Sequence, residues 1–387
     1  MSASAAASAR PYQVCARCVM DTSDADISFN ADGVCQHCID FEAVTRKQWY
    51  PGEEGQRRLA QLVDTLRAAG RGRDYDCILG LSGGVDSSYL ALKCRDWGLR
   101  TLAVHVDAGW NSELAVANIE KILDHCHFDL HTHVVDWEEM RDLQLAYLRS
   151  GLSNQDVPQD HAFFANLYHY ANLHGIRHVL SGGNIATEGV FPKAWHGPAM
   201  DAINLHAVHA QHGQQSLKHY RTVSFFELFF WFPKVKKLQV LRPLNYLPYN
   251  KAAAVAELQA RVGWRAYPRK HGESLFTKFF QNHYLPQRFG YDKRRPHLAS
   301  LIVSGQMSRG EALQKLTEPL YDPQELEIDV AYLRKKLRIS ADELQALMNA
   351  PRRVHTDYAT WDSRFAAARR VNRLLQHLTR RKVRVSY

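Results

Sequence analysis

From about residue 75 onward, short apolar runs alternate with longer amphipathic stretches. The runs lie at 76–81, 101–106, 130–135 and 177–180, and stretches of helical period fill 87–96, 113–126, 137–149 and 160–174. The runs are too short for helices and the stretches between them too long for strands. Strand–helix alternation of this length predicts a doubly wound α/β fold, a parallel sheet with helices on both faces. In such sheets ligands bind beyond the carboxyl ends of the strands. A polar, helix-forming stretch at 56–69 precedes the alternation, and from residue 251 the pattern is helical with no clear strand. Residues 12–40 follow neither period. The expected division is a start at 1–11 without order, a metal-nucleated module at 12–55, the α/β domain at 56–250, a helical substrate region at 251–350 and a basic tail at 351–387.

Composition narrows the picture. The chain has 387 residues, 45% hydrophobic and 23% charged, ordinary for a globular enzyme. The most apolar stretch, 223–232, is too short to cross a membrane and contains Glu227. Residues 1–10 are rich in Ala and Ser and lack the apolar core of a secretory signal, so a cytoplasmic protein is expected. Net charge is +9, of which residues 351–387 contribute +8, leaving a nearly neutral body. A basic tail can bind nucleic acid. The reading favoured here is a helix at 364–378 with Arg on its wet face, so a nucleic-acid partner is not expected.

The strongest chemical signal is Ser82-Gly83-Gly84-Val85-Asp86-Ser87-Ser88, after a buried strand and opening a helix. Two glycines let the backbone approach an anion. The freed N–H groups and the helix N-terminus form an anion nest, to which Ser82, Ser87 and Ser88 add hydroxyls. Asp86 suits a phosphate cradle only if Mg²⁺ lies between it and the phosphates. The Walker lysine and its spacing are absent. The string resembles the PP-loop of ATP-pyrophosphatases, whose fold belongs with the HUP-like class. Val106 and Asp107 end the second strand, where adenosine is expected. Gly182 and Asn184 follow the fourth, and Glu188 stands four residues on. This last segment resembles one in ammonia-dependent synthetases of the same superfamily, which implies Mg²⁺ binding by Glu188.

Cys15 and Cys18, then Cys35 and Cys38, form two CxxC pairs separated by sixteen residues. In a reducing compartment such pairs argue for metal. Four thiolates make a closed, structural Zn²⁺ site; an iron–sulfur cluster fits the same spacing. His37, inside the second pair, is read as a bystander. His206, His209 and His212 recur every three residues but diverge around a helix and have no acidic neighbour, so they are read as structural or surface residues. The aromatic run at 225–232 is read as core or partner interface.

With these motifs in hand, the chain resembles the N-acetyl sugar amidotransferases of bacterial surface-glycan biosynthesis, from Cys15 to Tyr358. The strings that carry the resemblance are CARCVMDTSD, SGGVDSS, VDAGWNS, VPQDHAFFA, SGGNIATE, PLNYLPYNK, KHGESLFTKFFQ, RFGYDKRRPHLASLI and SGQMSRGEAL. The resemblance implies conversion of a sugar's acetamido group into an acetamidino group at the expense of ATP, on a nucleotide-linked substrate. A separate glutaminase subunit would supply ammonia, since nothing in this chain has the strand–turn–helix elbow of a nucleophile. Lys251 and Lys270 are the expected phosphate cations, and Glu273 the expected proton acceptor. His271, Ser274, Lys293 and Arg294 are tentative substrate contacts; a capped helix end and surface charge are the competing readings of these positions. The alternative function is a tRNA-thiolating PP-loop enzyme. Against it stand the isolated positions of Cys77, Cys94 and Cys126 and the near-neutral body. A noncatalytic nucleotide-binding regulator is disfavoured by the complete set Asp86, Asn184, Glu188 and Lys251.

Overall fold

The computed structural model describes residues 11–267 and 272–366. The expected disordered start apart from Pro11, and all but the first residues of the expected tail helix, lie outside the described residues, as do Lys270 and His271.

Five strands form one parallel sheet in the order β3-β2-β1-β4-β5. They are β1 (Cys77–Gly80), β2 (Thr101–Asp107), β3 (Asp129–Val134), β4 (His178–Leu180) and β5 (Gln239–Leu241). The first eight helices are α1 (Gln36–Ala43), α2 (Glu53–Ala69), α3 (Val85–Asp96), α4 (Glu113–Cys126), α5 (Trp137–Ser150), α6 (Val157–Leu173), α7 (Ile185–Glu188) and α8 (Ala202–His212). Seven follow the sheet: α9 (Lys251–Val262), α10 (Leu275–Phe279), α11 (Leu285–Phe289), α12 (Arg294–Val303), α13 (Arg309–Thr317), α14 (Pro323–Leu337) and α15 (Ala341–Asn349).

Period-two alternation in the central strands decides the layers. Ile78, Leu102 and Val104 face a core with α5, α6 and α8. Cys77, Leu79, Leu81 and Ala103 face the opposite core with α2, α3, α4 and α9. Both faces are covered, as a parallel sheet requires. β3 is an edge strand with largely exposed side chains, so its apolar content understates its contact with water. β5 occupies the other edge. It has three residues, two of them exposed, and it breaks no period that the sequence displays.

Two further cores tie the ends of the chain to the carboxyl edge of the sheet. The cysteine module packs with Ile185 of α7 and with Leu298, Ala299, Val303 and Ala312 of α12 and α13. Phe276, Phe279, Phe280 and Tyr284 pack with Leu333 and Leu337 of α14 and with Trp110, Leu145 and Leu148 of the α/β body. Much of α10–α14 is therefore built against the edge where ligands enter. Among the described residues no helix is long and apolar enough to cross a membrane.

Candidate active site

The glycine loop joins β1 to α3. Gly83 has φ +80°, and a Cβ there would lie 2.8 Å from the Ala115 carbonyl oxygen, so only glycine fits. Its own carbonyl accepts from Trp264 Nε1 at 3.2 Å and Tyr267 Oη at 2.9 Å, which fixes the peptide plane of the loop. Ser82 and Ser87 turn their hydroxyls to the exposed side of the loop, 3.1 Å apart. Ser88 does not join them. Its hydroxyl is fully buried, and its N–H is spent on the Gly84 carbonyl as the first helical bond. The expected ligand role of Ser88 thus finds no exposed donor.

Asp86 lies in the first turn of α3, where the helix dipole favours a carboxylate. Its Oδ1 accepts from Asn184 Nδ2 at 3.1 Å and from the Tyr249 hydroxyl at 2.5 Å. Burial and the Asp86 charge push the Tyr249 phenol up, with Glu188 adding to the effect, so it stays a donor. Gly182 brings the β4 loop against α3: a Cβ there would lie 2.8 Å from the Asp86 carbonyl carbon. A Cβ on Gly183 would lie 3.4 Å from Glu188 Oε2. Asn184 also caps α7, its Oδ1 accepting from Thr187 N. Asp86, Asn184, Glu188 and Tyr249 thus form one polar group at the mouth of β1 and β4.

Glu273 reaches the loop from the far end of the chain. Ser112 N donates to its carbonyl at 2.8 Å, and Leu275 N donates to the Trp110 carbonyl at 2.9 Å, so residues 273–275 pair with 110–112 above the sheet. A Cβ on Gly84 would lie 3.4 Å from Glu273 Oε1. Ser274 is nearly buried; its hydroxyl caps α10 and donates to Gln159 Oε1. Val106 is buried in β2. Asp107 ends that strand and accepts from Gly109 N and Asn111 Nδ2. Asn111 Nδ2 also meets His105 Nε2, and His105 Nδ1 meets the Leu81 carbonyl, which fixes the orientation of the ring.

A cavity of about 550 Å³ opens beside α7, lined by Thr187, Lys251, Gln281, Lys293, Arg294 and His297 among others. Lys251 stands at the start of α9, its N–H held by Gln306. Lys293 is nearly buried and donates to His196 Nε2 at 2.6 Å. Burial, and then the Lys293 charge, push His196 down to about 2, so the imidazole is a neutral acceptor. Arg294 lines the cavity, but its guanidinium is engaged by Asp292 and by the carbonyls of Lys315, Leu316 and Glu318 at the end of α13. Behind Gln281 sit two carboxyls. Burial and then the neighbouring Asp160 push Asp156 up to about 8, and burial pushes Asp160 up to about 6, with Lys293 opposing both shifts. Gln159 and Thr277 donate to Asp156 Oδ1. A second cavity, of about 520 Å³, opens at the amino ends of β2 and β3, away from this chemistry.

The four cysteines of the two pairs are fully buried, and their sulfurs all lie within 4.8 Å of one another. Two separations are 4.0 and 3.7 Å, close to the edge of about 3.8 Å that a Zn–S bond near 2.3 Å gives a tetrahedron. The Cys35 N–H points at Cys15 Sγ at 3.2 Å, as donors to thiolate do. This donor set is compatible with zinc. His37 is not among the ligand atoms; its Nε2 pairs with Asp24. His209 pairs with Asp142 and His212 with Tyr358, so both serve packing.

Sequence reasoning missed Tyr249, Trp264, Tyr267 and the Asp156–Asp160 pair. Tyr249 and Asp160 stand inside strings quoted above, whereas Trp264 and Tyr267 carry no local signal.

The fold and this edge define a doubly wound α/β protein with a glycine-rich anion loop. Residues 273–372 match the family described as "LPS biosynthesis protein WbpG-like, C-terminal domain". The C-terminal part of the chain, which carries Glu273, Lys293 and most of the cavity wall, is therefore similar to a lipopolysaccharide-biosynthesis domain. Comparison with curated proteins finds no match. Among solved structures, NMN synthetase from Francisella tularensis is similar at 13% identity and TM-score 0.32, over 74% of this chain and 97% of that one. The NH3-dependent NAD synthetase from Campylobacter jejuni is similar at 14% identity and TM-score 0.28, over 54% of this chain and 93% of that one. The sheet order and the loop, rather than these distant likenesses, define the fold.

Proposed function

We propose that this chain is an ATP-dependent amidotransferase. It adenylates the acetamido oxygen of a nucleotide-linked N-acetyl sugar and installs ammonia to give an acetamidino group. The observation that supports this most is the convergence of the Ser82–Ser87 loop, Asp86, Glu188 and Glu273 beside a cation-lined cavity, most of whose wall comes from the segment similar to a WbpG-like C-terminal domain. The amide oxygen attacks the α-phosphorus, the bond to the β-phosphate breaks, and pyrophosphate leaves into the loop. Ammonia then adds to the imidate carbon, loses a proton to Glu273, and AMP departs. Amide, ammonia and ATP thus become amidine, AMP and pyrophosphate.

The loop N–H groups and Ser82 and Ser87 hold the leaving pyrophosphate, since charge developing there needs fixed donors. Asp86 and Glu188 offer the carboxylate oxygens that Mg²⁺ takes, and the ion when bound supplies neutralising charge at the phosphates. Lys251 and Lys293 orient the anionic part of the sugar substrate. Zinc in the cysteine module is structural, because four protein ligands leave no open position.

The test incubates the protein with ATP, ammonium and N-acetylated nucleotide sugars. Product mass should fall by the difference between O and NH, and chromatography of the spent nucleotide should show AMP. ADP and orthophosphate as the main products would remove the adenylation step.

A further inference from the structure

We propose that the aromatic and basic face at residues 226–237 binds an anionic membrane surface, holding the protein there peripherally. This surface is separate from the reaction proposed above. Its core is a π-helical turn, Glu227–Val235, that contains Pro233. Proline lacks an N–H and cannot continue an α-helical ladder, so the turn widens, with Lys236 N donating to the Trp231 carbonyl. Widening splays the aromatic side chains outward. Phe226 is 56%, Phe230 49% and Trp231 36% exposed, beside Val235 at 46%. Only Phe232 turns in, against Tyr168 and His169 of α6. Contiguous exposed aromatics of this size mark an interaction surface rather than chance.

Charge selects the partner. Lys234, Lys236 and Lys237 are exposed beside the aromatics, and no Asp or Glu occurs from Leu228 to Arg242. Glu227, at the start of the turn, is engaged by Ser224, and Trp and Phe beside three Lys are the composition of an interfacial membrane contact. The chain returns to this face near its end: Trp361 and Phe365 pack edge-on against Phe225 and Phe229. The sequence after it, 367–387, carries seven Lys or Arg and no acidic residue.

Position argues against an ammonia donor here. Leu238 N donates to the Phe232 carbonyl, and Gln239 N to Arg177, just ahead of β4. The face therefore sits at the amino edge of the sheet, whereas the glycine loop sits at the carboxyl edge. A lipid surface at this position leaves the catalytic edge turned toward solution.

The experiment floats the full chain with phosphatidylcholine vesicles, with and without phosphatidylglycerol, at low and high salt. We expect co-flotation with the anionic vesicles at low salt only. The triple substitution Phe226→Ser, Phe230→Ser, Trp231→Ser should weaken it at least about tenfold. So should Lys234→Glu with Lys236→Glu and Lys237→Glu. Both variants should keep the parent's melting temperature and nucleotide turnover, because none of these side chains touches the site. No flotation with anionic vesicles overturns the proposal, as does flotation that survives both sets of changes. A parent that is dimeric by light scattering, with a monomeric triple variant and no vesicle binding, would make the face a contact between copies of this chain.

Discussion

Asp86 is held by two donors, Asn184 and Tyr249, at distances that leave little rotational freedom. Asp86→Ala should abolish AMP formation with the melting temperature nearly unchanged, since the side chain is part-exposed. Tyr249→Phe removes one hydrogen bond to a charged group, worth roughly 1.5–3 kcal/mol. Pyrophosphate release should therefore fall about tenfold or more. If Tyr249→Phe turns over like the parent, the phenol plays no part in positioning the carboxylate. The pair behind the cavity makes a prediction about stability. Asp156 titrates at about 8 in the folded chain, chiefly because it is buried and then because Asp160 is near; unfolded it titrates at about 3.9. The folded state therefore holds a proton that the unfolded chain releases between these values. Its contribution is complete below about pH 4 and is lost as pH rises through about 8. Thermal melts of Asp156→Asn should fall less steeply than the parent's across that window. An unchanged slope would mean the carboxyl does not titrate there.

At the scale of elements, the cysteine module buttresses the helices that line the cavity rather than standing apart from them. Arg309 of α13 donates to the carbonyls of Cys15 and Cys18, and Arg295 of α12 to that of Val19. The same α12 supplies His297 and Leu298 to the cavity. Metal binding of this kind contributes directly to folding. Elemental analysis should give one zinc per chain, and Cys35→Ser should lower the melting temperature or solubility before it alters chemistry. Iron in the active protein, or no metal at all, would end the zinc assignment. Arg309→Ala leaves two buried carbonyls without their donor and should cost about 1–3 kcal/mol. The π-helical turn and β5 were not legible as elements. One depends on a proline inside an apolar run, and the other on a three-residue edge strand whose partner lies sixty residues upstream.

For the whole molecule, the nitrogen source is the open reaction partner. Cys77, Cys94 and Cys126 are all buried in the core behind the loop. Burial raises the Cys94 thiol well above its ordinary range and pushes Cys126 up to about 12. None is placed as a nucleophile for glutamine or as a persulfide carrier for thiolation. Native protein should leave these three unmodified by iodoacetamide. Under the proposed reaction, the isolated chain should turn over with high ammonium and not with glutamine, and adding a glutaminase subunit should allow glutamine use. Amidine formed from glutamine by the purified chain alone would remove the two-subunit scheme.

The sequence by itself determined the layers, the loop and the thiol cluster, because each depends on local spacing. Apolar runs and helical periods set the strand–helix alternation, two glycines between a strand and a helix set the anion nest, and two CxxC pairs set the thiol cluster. Sequence spacing also singled out Asp86, Asn184 and Glu188, since they follow the carboxyl ends of strands that any parallel sheet brings to one edge. Only the tertiary structure decided which hydroxyls face the loop. Ser88 is one residue from Ser87, yet a helix rotates by about 100° per residue and turns it into the core. Nor could local pattern show that Tyr249 donates to Asp86 or that Trp264 and Tyr267 hold Gly83. The placement of Glu273 against Gly84, across nearly 190 residues, belongs with these. Such contacts carry no period and no spacing, because they arise where separate elements meet after the sheet has formed.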